Sequence, residues 1–290
     1  MHDIHVNKKY SLRDESFQPG FRDKHFLSIE ISFDTFSYCI LDNDRFKYRL
    51  AESFECSERL EADDYMRSIE SIVRDNPYLT SGFERVTLIY VSPQSVFIPS
   101  ELYKEEEKAS YLSFNHIIKN GYKPCSEKLY NLDAYVVYPL PDFIKHTFDK
   151  LFPDYRLRHF STALIESVLY DVRYAGYKAD MVIHVQKNHF EILLLDGTNL
   201  LFFNSFNYKT WDDILYYLFF VMEQAEISAE NIDLLMVGRT SMDTDLYKNL
   251  KPYFRSVDFG KRSDLFKYDD TFDEIPHHYF YNLLNVNACG

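Results

Sequence analysis

Glycine is scarce in this chain. It occurs 8 times in 290 residues, where an average composition of ~7% would supply about 20. The chain is therefore poor in the glycine-rich loops that cradle phosphates, and neither Gly-x-Gly-x-x-Gly nor a Walker A pattern occurs. Gly-x-Ser-x-Gly, the elbow of many serine hydrolases, is also absent. Tryptophan occurs once, and the four cysteines, Cys39, Cys56, Cys125 and Cys289, form no C-x-x-C. Their wide spacing reads as reduced thiols in a cytoplasm rather than a disulfide framework. Basic charge is in deficit: 32 Lys and Arg stand against 45 Asp and Glu, a net of −13. That excludes general attraction to nucleic acid or anionic membrane, which needs a basic surface. Long apolar runs are missing too. The longest, residues 214–222, has nine residues, against the ~18 that mark a membrane span. Residues 1–10 carry Asp3, Lys8 and Lys9 and lack the apolar core of a signal peptide.

What is present is aromatic. Phe (25) and Tyr (24) bring the aromatic share to 17%. Period-two alternation over 25–32, 35–41 and 45–54, with Asp42-Asn43-Asp44 as a turn, predicts three strands in a meander. Ser57 is a candidate N-cap for a helix with Glu58 and Glu61 in its first turn, Arg74 near its last, and Ala62, Met66, Ile69 and Val73 on one apolar face. Asn76-Pro77 ends it. Residues 85–91 are a strand buried on both faces. Further strands are expected at 95–98, 134–138 and 156–160, and helices at 100–119, 141–152 and 162–174. The opening pattern then recurs, with strands at 179–185, 190–195 and 200–206, and Asp196-Gly197 as a hairpin turn. A helix follows whose start, Thr210 with Asp213, has the spacing of a capping box. A strand at 232–237, a helix at 244–251, a strand at 255–259 and a helix at 276–286 complete the chain.

The recurrence is a duplication. Phe36 to Asp42 aligns with Phe190 to Asp196 at a constant offset of about 154, and both helices follow at nearly the same interval. Strand, strand, strand, helix, strand is the order of the RNase H-like fold, and two such domains in tandem resemble the actin-like ATPase architecture. The expected fold class is α/β, with mixed sheets and helices on both faces. The expected division is an arm at 1–24, a first domain at 25–160 with an insertion at about 92–140, and an interdomain helix with the second domain at 161–290.

Particular segments carry a closer resemblance. Residues 181–204 are similar to the opening of the second domain of the PilM-type pilus assembly proteins: an apolar strand, a short turn, a hydrophobic strand, Asp-Gly, then paired apolar residues. Residues 155–170 resemble that family's strand and interdomain helix. Residues 234–241 resemble the adenosine segment of actin-like proteins, an apolar strand ending in Gly-Gly-x-Ser. Gly238 and Ser241 are kept, and Arg239 stands at the second glycine. The resemblance covers about residues 25–260. The chain also resembles a bacterial family of unknown function described as actin-like in fold, which implies an architecture but no activity.

The resemblance implies two phosphate-binding turns, each needing an acid for Mg²⁺ and a glycine that lets backbone N–H groups approach the phosphates. The first turn reads Glu30-Ile31-Ser32-Phe33-Asp34-Thr35, with bulky Phe33 where a small residue belongs. The second reads His184-Val185-Gln186-Lys187-Asn188-His189, with neither acid nor glycine. Glu30, Ser32, Asp34, Thr35, His184, Gln186, Asn188, Gly238, Arg239 and Ser241 are thus the residues of a vestigial nucleotide cleft, with no catalytic residue and no metal ligand assigned. ATP and Mg²⁺ remain the cofactors of the alternative, a working ATPase with divergent loops. A two-metal nuclease built on Glu30 and Asp34 has no further acids placed by a pattern. His277 and His278 read as a surface pair near a helix start, and His184 and His189 as solvated or hydrogen-bonded. On the 211–222 helix, Tyr216, Tyr217, Phe219 and Phe220 widen the apolar surface. They predict cover by a neighbouring helix or, alternatively, a partner surface. The resulting expectation is a cytoplasmic adaptor or scaffold with a protein partner, no nucleic acid and an open oligomeric state, and it leans away from an enzyme.

Overall fold

Backbone and side chains are described for residues 6–20, 22–57, 60–80 and 82–288 of a computed structural model, with the side chains of residues 22 and 23 left aside. Cys289 and Glu58 lie outside the described residues. The chain divides into two units. One comprises Met1–Ala163 with Leu265–Glu274, the other Leu164–Asp264 with Ile275–Gly290.

The first unit is built on β2 (Arg22–Ile31), β3 (Thr35–Asp42) and β4 (Lys47–Cys56), an antiparallel meander. Every residue of β3 is buried. α1 (Ala62–Asp75) follows and buries Tyr65, Met66, Ile69 and Val73. β5 (Phe83–Tyr90) then pairs parallel with β2, and β9 (Arg156–His159) parallel with β5. Residues 6–13 depart from the surface arm expected there. They form β1 (Val6–Arg13), which pairs antiparallel with β4 and gives the order β1-β4-β3-β2-β5-β9. Lys8–Glu52 and Lys9–Glu55 ion pairs fasten it at 2.7 and 3.1 Å. Ser57 does not cap α1: the helix begins at Ala62 with Glu61 at the N-cap, and the Ser57 hydroxyl instead accepts a bond from Asn7 at 2.6 Å.

Between β5 and β9 lies a separate sheet of β6 (Val96–Pro99), β7 (Tyr122–Lys128) and β8 (Ala134–Pro141), in the order β6-β8-β7, followed by α3 (Asp142–Leu151). The helix expected at 100–119 is reduced to two short 3-10 turns and α2 (Lys108–Ser113). Tertiary packing overrides propensity there. The Tyr103 ring stacks on Tyr135 at 3.8 Å, and Tyr103 and Lys104 adopt extended backbone. α4 (Phe160–Tyr174) follows β9, and the division between units falls within it rather than at 160.

The second unit repeats the plan. β10 (Met181–Val185), β11 (His189–Asp196) and β12 (Asn199–Asn207) form the meander, and α5 (Trp211–Gln224) carries the capping box at Thr210 and Asp213. β13 (Asp233–Gly238) pairs parallel with β10, and β14 (Ser256–Phe259) parallel with β13. The order β12-β11-β10-β13-β14 equals β4-β3-β2-β5-β9 of the first unit. β10 is buried throughout, with Ile183, Val185, Phe190 and Ile192 packed under Ile214, Leu218 and Met222 of α5. α6 (Asp245–Leu250) packs on α5, and α7 (Tyr281–Asn285) is shorter than the 276–286 expected. Of the aromatics that widen α5, Tyr217 packs on the core and Phe219 against Phe254, while Tyr216 and Phe220 are 63% and 44% exposed, so among the described residues no helix covers these two. Among the described residues no helix is long and apolar enough to cross a membrane.

Candidate functional site

Each unit's first hairpin turn occupies the same place in its sheet. In the first unit β2 ends at Ile31 and β3 begins at Thr35, so Ser32, Phe33 and Asp34 make the turn. The turn closes on itself. Ser32 Oγ accepts the backbone N–H groups of Asp34 (3.2 Å) and Thr35 (3.0 Å), while Ser32 N–H donates to the Thr35 carbonyl at 2.9 Å. The same hydroxyl lies 2.8 Å from both the Asp34 carboxylate and the Thr35 hydroxyl. Two amides that could meet a phosphate are thereby consumed. Phe33 is 43% exposed, and its ring sits 6.0 Å from that of Phe143 on α3. Glu30, the candidate acid, is half-buried opposite Ser37.

The second turn is built differently. His184 stands at the position of Glu30, 154 residues on, and the residue across the ladder is Glu191 where the first unit has Ser37. The carboxylate has thus crossed from the first strand to the second. Glu191 is fully buried. Its Oε2 lies 2.7 Å from His184 Nδ1, and its Oε1 lies 3.5 Å from His189 Nε2. Burial pushes its carboxyl up to about 7, against the opposing pull of His189 and of the Ser205 hydroxyl. Gln186 Nε2 is 3.3 Å from His184 Nε2, and the Gln186 carbonyl accepts the Tyr208 hydroxyl at 2.6 Å. His184 is therefore a satisfied interior side chain rather than a solvated one. Lys187 and Asn188 form the exposed tip.

The adenosine-like segment lies beside this cluster. Gly238 has φ +87°, and a Cβ there would come within 2.4 Å of the Val185 carbonyl oxygen. Arg239 N–H donates to that same carbonyl at 2.7 Å, and its guanidinium sits over the Tyr279 ring at 5.8 Å. The Ser241 carbonyl accepts the hydroxyl of Thr244, the N-cap of α6, at 2.7 Å. His278 is buried, which corrects its reading as a surface residue. Its Nε2 lies 2.7 Å from the Thr240 carbonyl, its ring stacks on Phe259, and burial lowers its pKa. His277 is exposed.

Ser32, Asp34 and Thr35 thus come together in one turn. His184, Gln186, Gly238 and Arg239 come together at the ends of β10 and β13. Asn188 and Ser241 lie at the margins. Glu191, Tyr208 and the buried role of His278 escape a reading of the sequence. The constant offset of 154 would have flagged Glu191, since it maps Ser37 onto that position. The fold's phosphate turns need free amides and an acid facing them. In the first turn the amides of Asp34 and Thr35 are bonded to Ser32 Oγ, and Glu191 of the second is buried between two imidazoles. Among the described residues no three His, Cys, Asp or Glu side chains cluster as a metal site requires.

The chain is similar to a solved protein of actin-like ATPase fold and unknown function from Bacteroides thetaiotaomicron. The two share 23% identity over 82% of this chain and 91% of that one, with a TM-score of 0.71. It is also similar to a solved structure of the PilM-PilN type IV pilus biogenesis complex, at 10% identity over 90% of this chain and 97% of that one, with a TM-score of 0.52. No curated protein matches it by sequence. The fold is that of the actin-like ATPases. Residues 14–257 match the family described as "Protein of unknown function (DUF3822)", and with that span covering most of its length the chain belongs to this family.

Proposed function

We propose that this protein uses the actin-like fold without its nucleotide chemistry, as a cytoplasmic adaptor or scaffold for a protein partner. The observation that carries the reading is the first turn, where Ser32 Oγ takes the amides of Asp34 and Thr35. Phosphate binding by such a turn depends on backbone N–H groups aimed outward, and here they aim inward. The second turn supports the same reading. It presents Lys187 and Asn188 at its tip, and its one carboxylate, Glu191 on β11, is buried beside His184 of β10. The net charge of −13 adds a field that opposes a nucleotide triphosphate unless local cations offset it. The PilM-PilN structure is of a complex, so a chain of this fold can work through a protein partner.

Thermal-shift and calorimetric titration with ATP and Mg²⁺ tests the reading. The expected outcome is no saturable heat and no stabilisation at millimolar nucleotide. Binding tighter than about 0.1 mM, with a rise in Tm that follows the titration, overturns it in favour of an ATPase with divergent loops.

A further inference from the structure

The duplication compares two sheet edges that have the same place in the fold. In the first unit the outer edge of the meander, β4, is covered by β1, antiparallel. In the second unit the equivalent strand, β12, ends its sheet, and no described strand pairs with its outer side. Such an edge presents a row of backbone donors and acceptors and is normally blunted by Lys, Pro or other charges. β12 has none of these. Its sequence, Asn-Leu-Leu-Phe-Phe-Asn-Ser-Phe-Asn, is nine residues without a charge or a proline. A bulge displaces the register near Leu201, which leaves residues 202–207 in regular pairing with β11. An apolar groove of about 400 Å³ runs beside the strand, lined by Leu201, Phe202, Phe206, Phe220, Val221 and Ile227. Leu201 is 59% exposed.

We infer that β12 pairs antiparallel with β12 of a second copy of this chain, joining two five-stranded sheets across a two-fold axis. Charge selects the occupant. On β4 the edge carries Glu52 and Glu55, and the covering strand answers with Lys8 and Lys9. The β12 edge and its groove carry no charge, so the matching strand is uncharged, with bulky apolar side chains for the groove. β12 is itself such a strand. An antiparallel self-pair has two-fold symmetry, so a single surface serves both copies. In a chain of net charge −13, an uncharged strand is also where two copies meet with the fewest like charges facing.

Sedimentation equilibrium of the full chain between about 1 and 100 µM tests the inference. The wild type is expected to dimerise in that range. Leu201→Lys with Phe220→Lys, both at exposed positions and checked for fold by circular dichroism, is expected to weaken the dimer at least tenfold. Backbone hydrogen exchange over residues 202–207 is expected to slow as concentration rises, while that of β1 stays constant. A wild type monomeric at 100 µM overturns the inference. So does a dimer that the lysines leave unchanged, or exchange over 202–207 that ignores concentration. These outcomes do not involve nucleotide, so they stand apart from the test of the proposed function.

Discussion

Glu191 concentrates the electrostatics of the second turn. Burial raises its carboxyl from 4.5 to about 7, so the folded chain holds this proton through a range where the unfolded chain has released it. The sign follows from linkage. Below about pH 4.5 both states are protonated and nothing is lost. As pH rises from about 4.5 to about 7, the unfolded state is increasingly favoured, and above that the loss is complete at about 3 kcal/mol. The Glu191→Gln variant places a neutral amide opposite His184, in imitation of the protonated carboxyl. It is expected to flatten the pH dependence of the urea midpoint across this window and to gain about 1–2 kcal/mol near pH 7.5. A variant with the wild-type slope would count against the assignment. Gly238 makes a second prediction at the same scale. Its φ of +87° and the Val185 carbonyl 2.4 Å from a built Cβ combine strain with overlap. Gly238→Ala is expected to cost about 3 kcal/mol, and Gly197→Ala, at φ +58° in open space, about 1 kcal/mol. Thermal unfolding of the pair separates overlap from strain.

Among elements, the first turn is held by one hydroxyl. Ser32→Ala leaves the amides of Asp34 and Thr35 without their acceptor and is expected to cost about 1–2 kcal/mol, since each buried or half-buried donor loses a bond it had in the fold. The measurement is a denaturant midpoint with the slope unchanged, and a shift under a few tenths of a kcal/mol would show that water replaces the hydroxyl. The strands are the most legible elements in the sequence, because a strand half-buried in a meander must alternate and one buried on both faces must not. β3 and β11 repeat in register for this reason. β1 and β7 escape because their apolar content is low. β1 is Val-Asn-Lys-Lys-Tyr-Ser-Leu-Arg, with most of its positions facing water, and β7 has a proline within it. The helix expected at 100–119 is too long because helix formers there are overruled by one aromatic stack, which period and propensity do not encode. His278 misleads for a similar reason. Its burial depends on Phe259 and the Thr240 carbonyl, partners that only the tertiary fold supplies.

Across the whole molecule the duplication is legible, because two copies of one strand order leave the same spacing in the chain. The return of residues 265–274 to the first unit is not, since that segment repeats nothing and has no periodic pattern. Its attachment is physical all the same. Tyr48 is fully buried, stacked on Tyr268 at 5.5 Å and edge-on to Phe266 at 5.2 Å. Tyr48 N–H donates to the Lys267 carbonyl, and Lys267 N–H to that of Phe46, at 2.9 and 2.7 Å. The Lys47 ammonium lies between Asp14 (2.7 Å) and Asp269 (3.2 Å), and those bonds raise its pKa. Phe272 is fully buried and edge-on to Tyr268. A late stretch of chain therefore belongs to the core of the early unit. Truncating Phe272 to alanine in the full chain removes a buried ring, at about 3–5 kcal/mol. The loss should be confined to the unit that ring sits in. Hydrogen exchange is expected to accelerate in β1, β3 and β4, with the amides of β10, β11 and β13 unchanged. Acceleration confined to β10, β11 and β13, or equal in both units, would mean that residues 265–274 stabilise a different core from the one their contacts join.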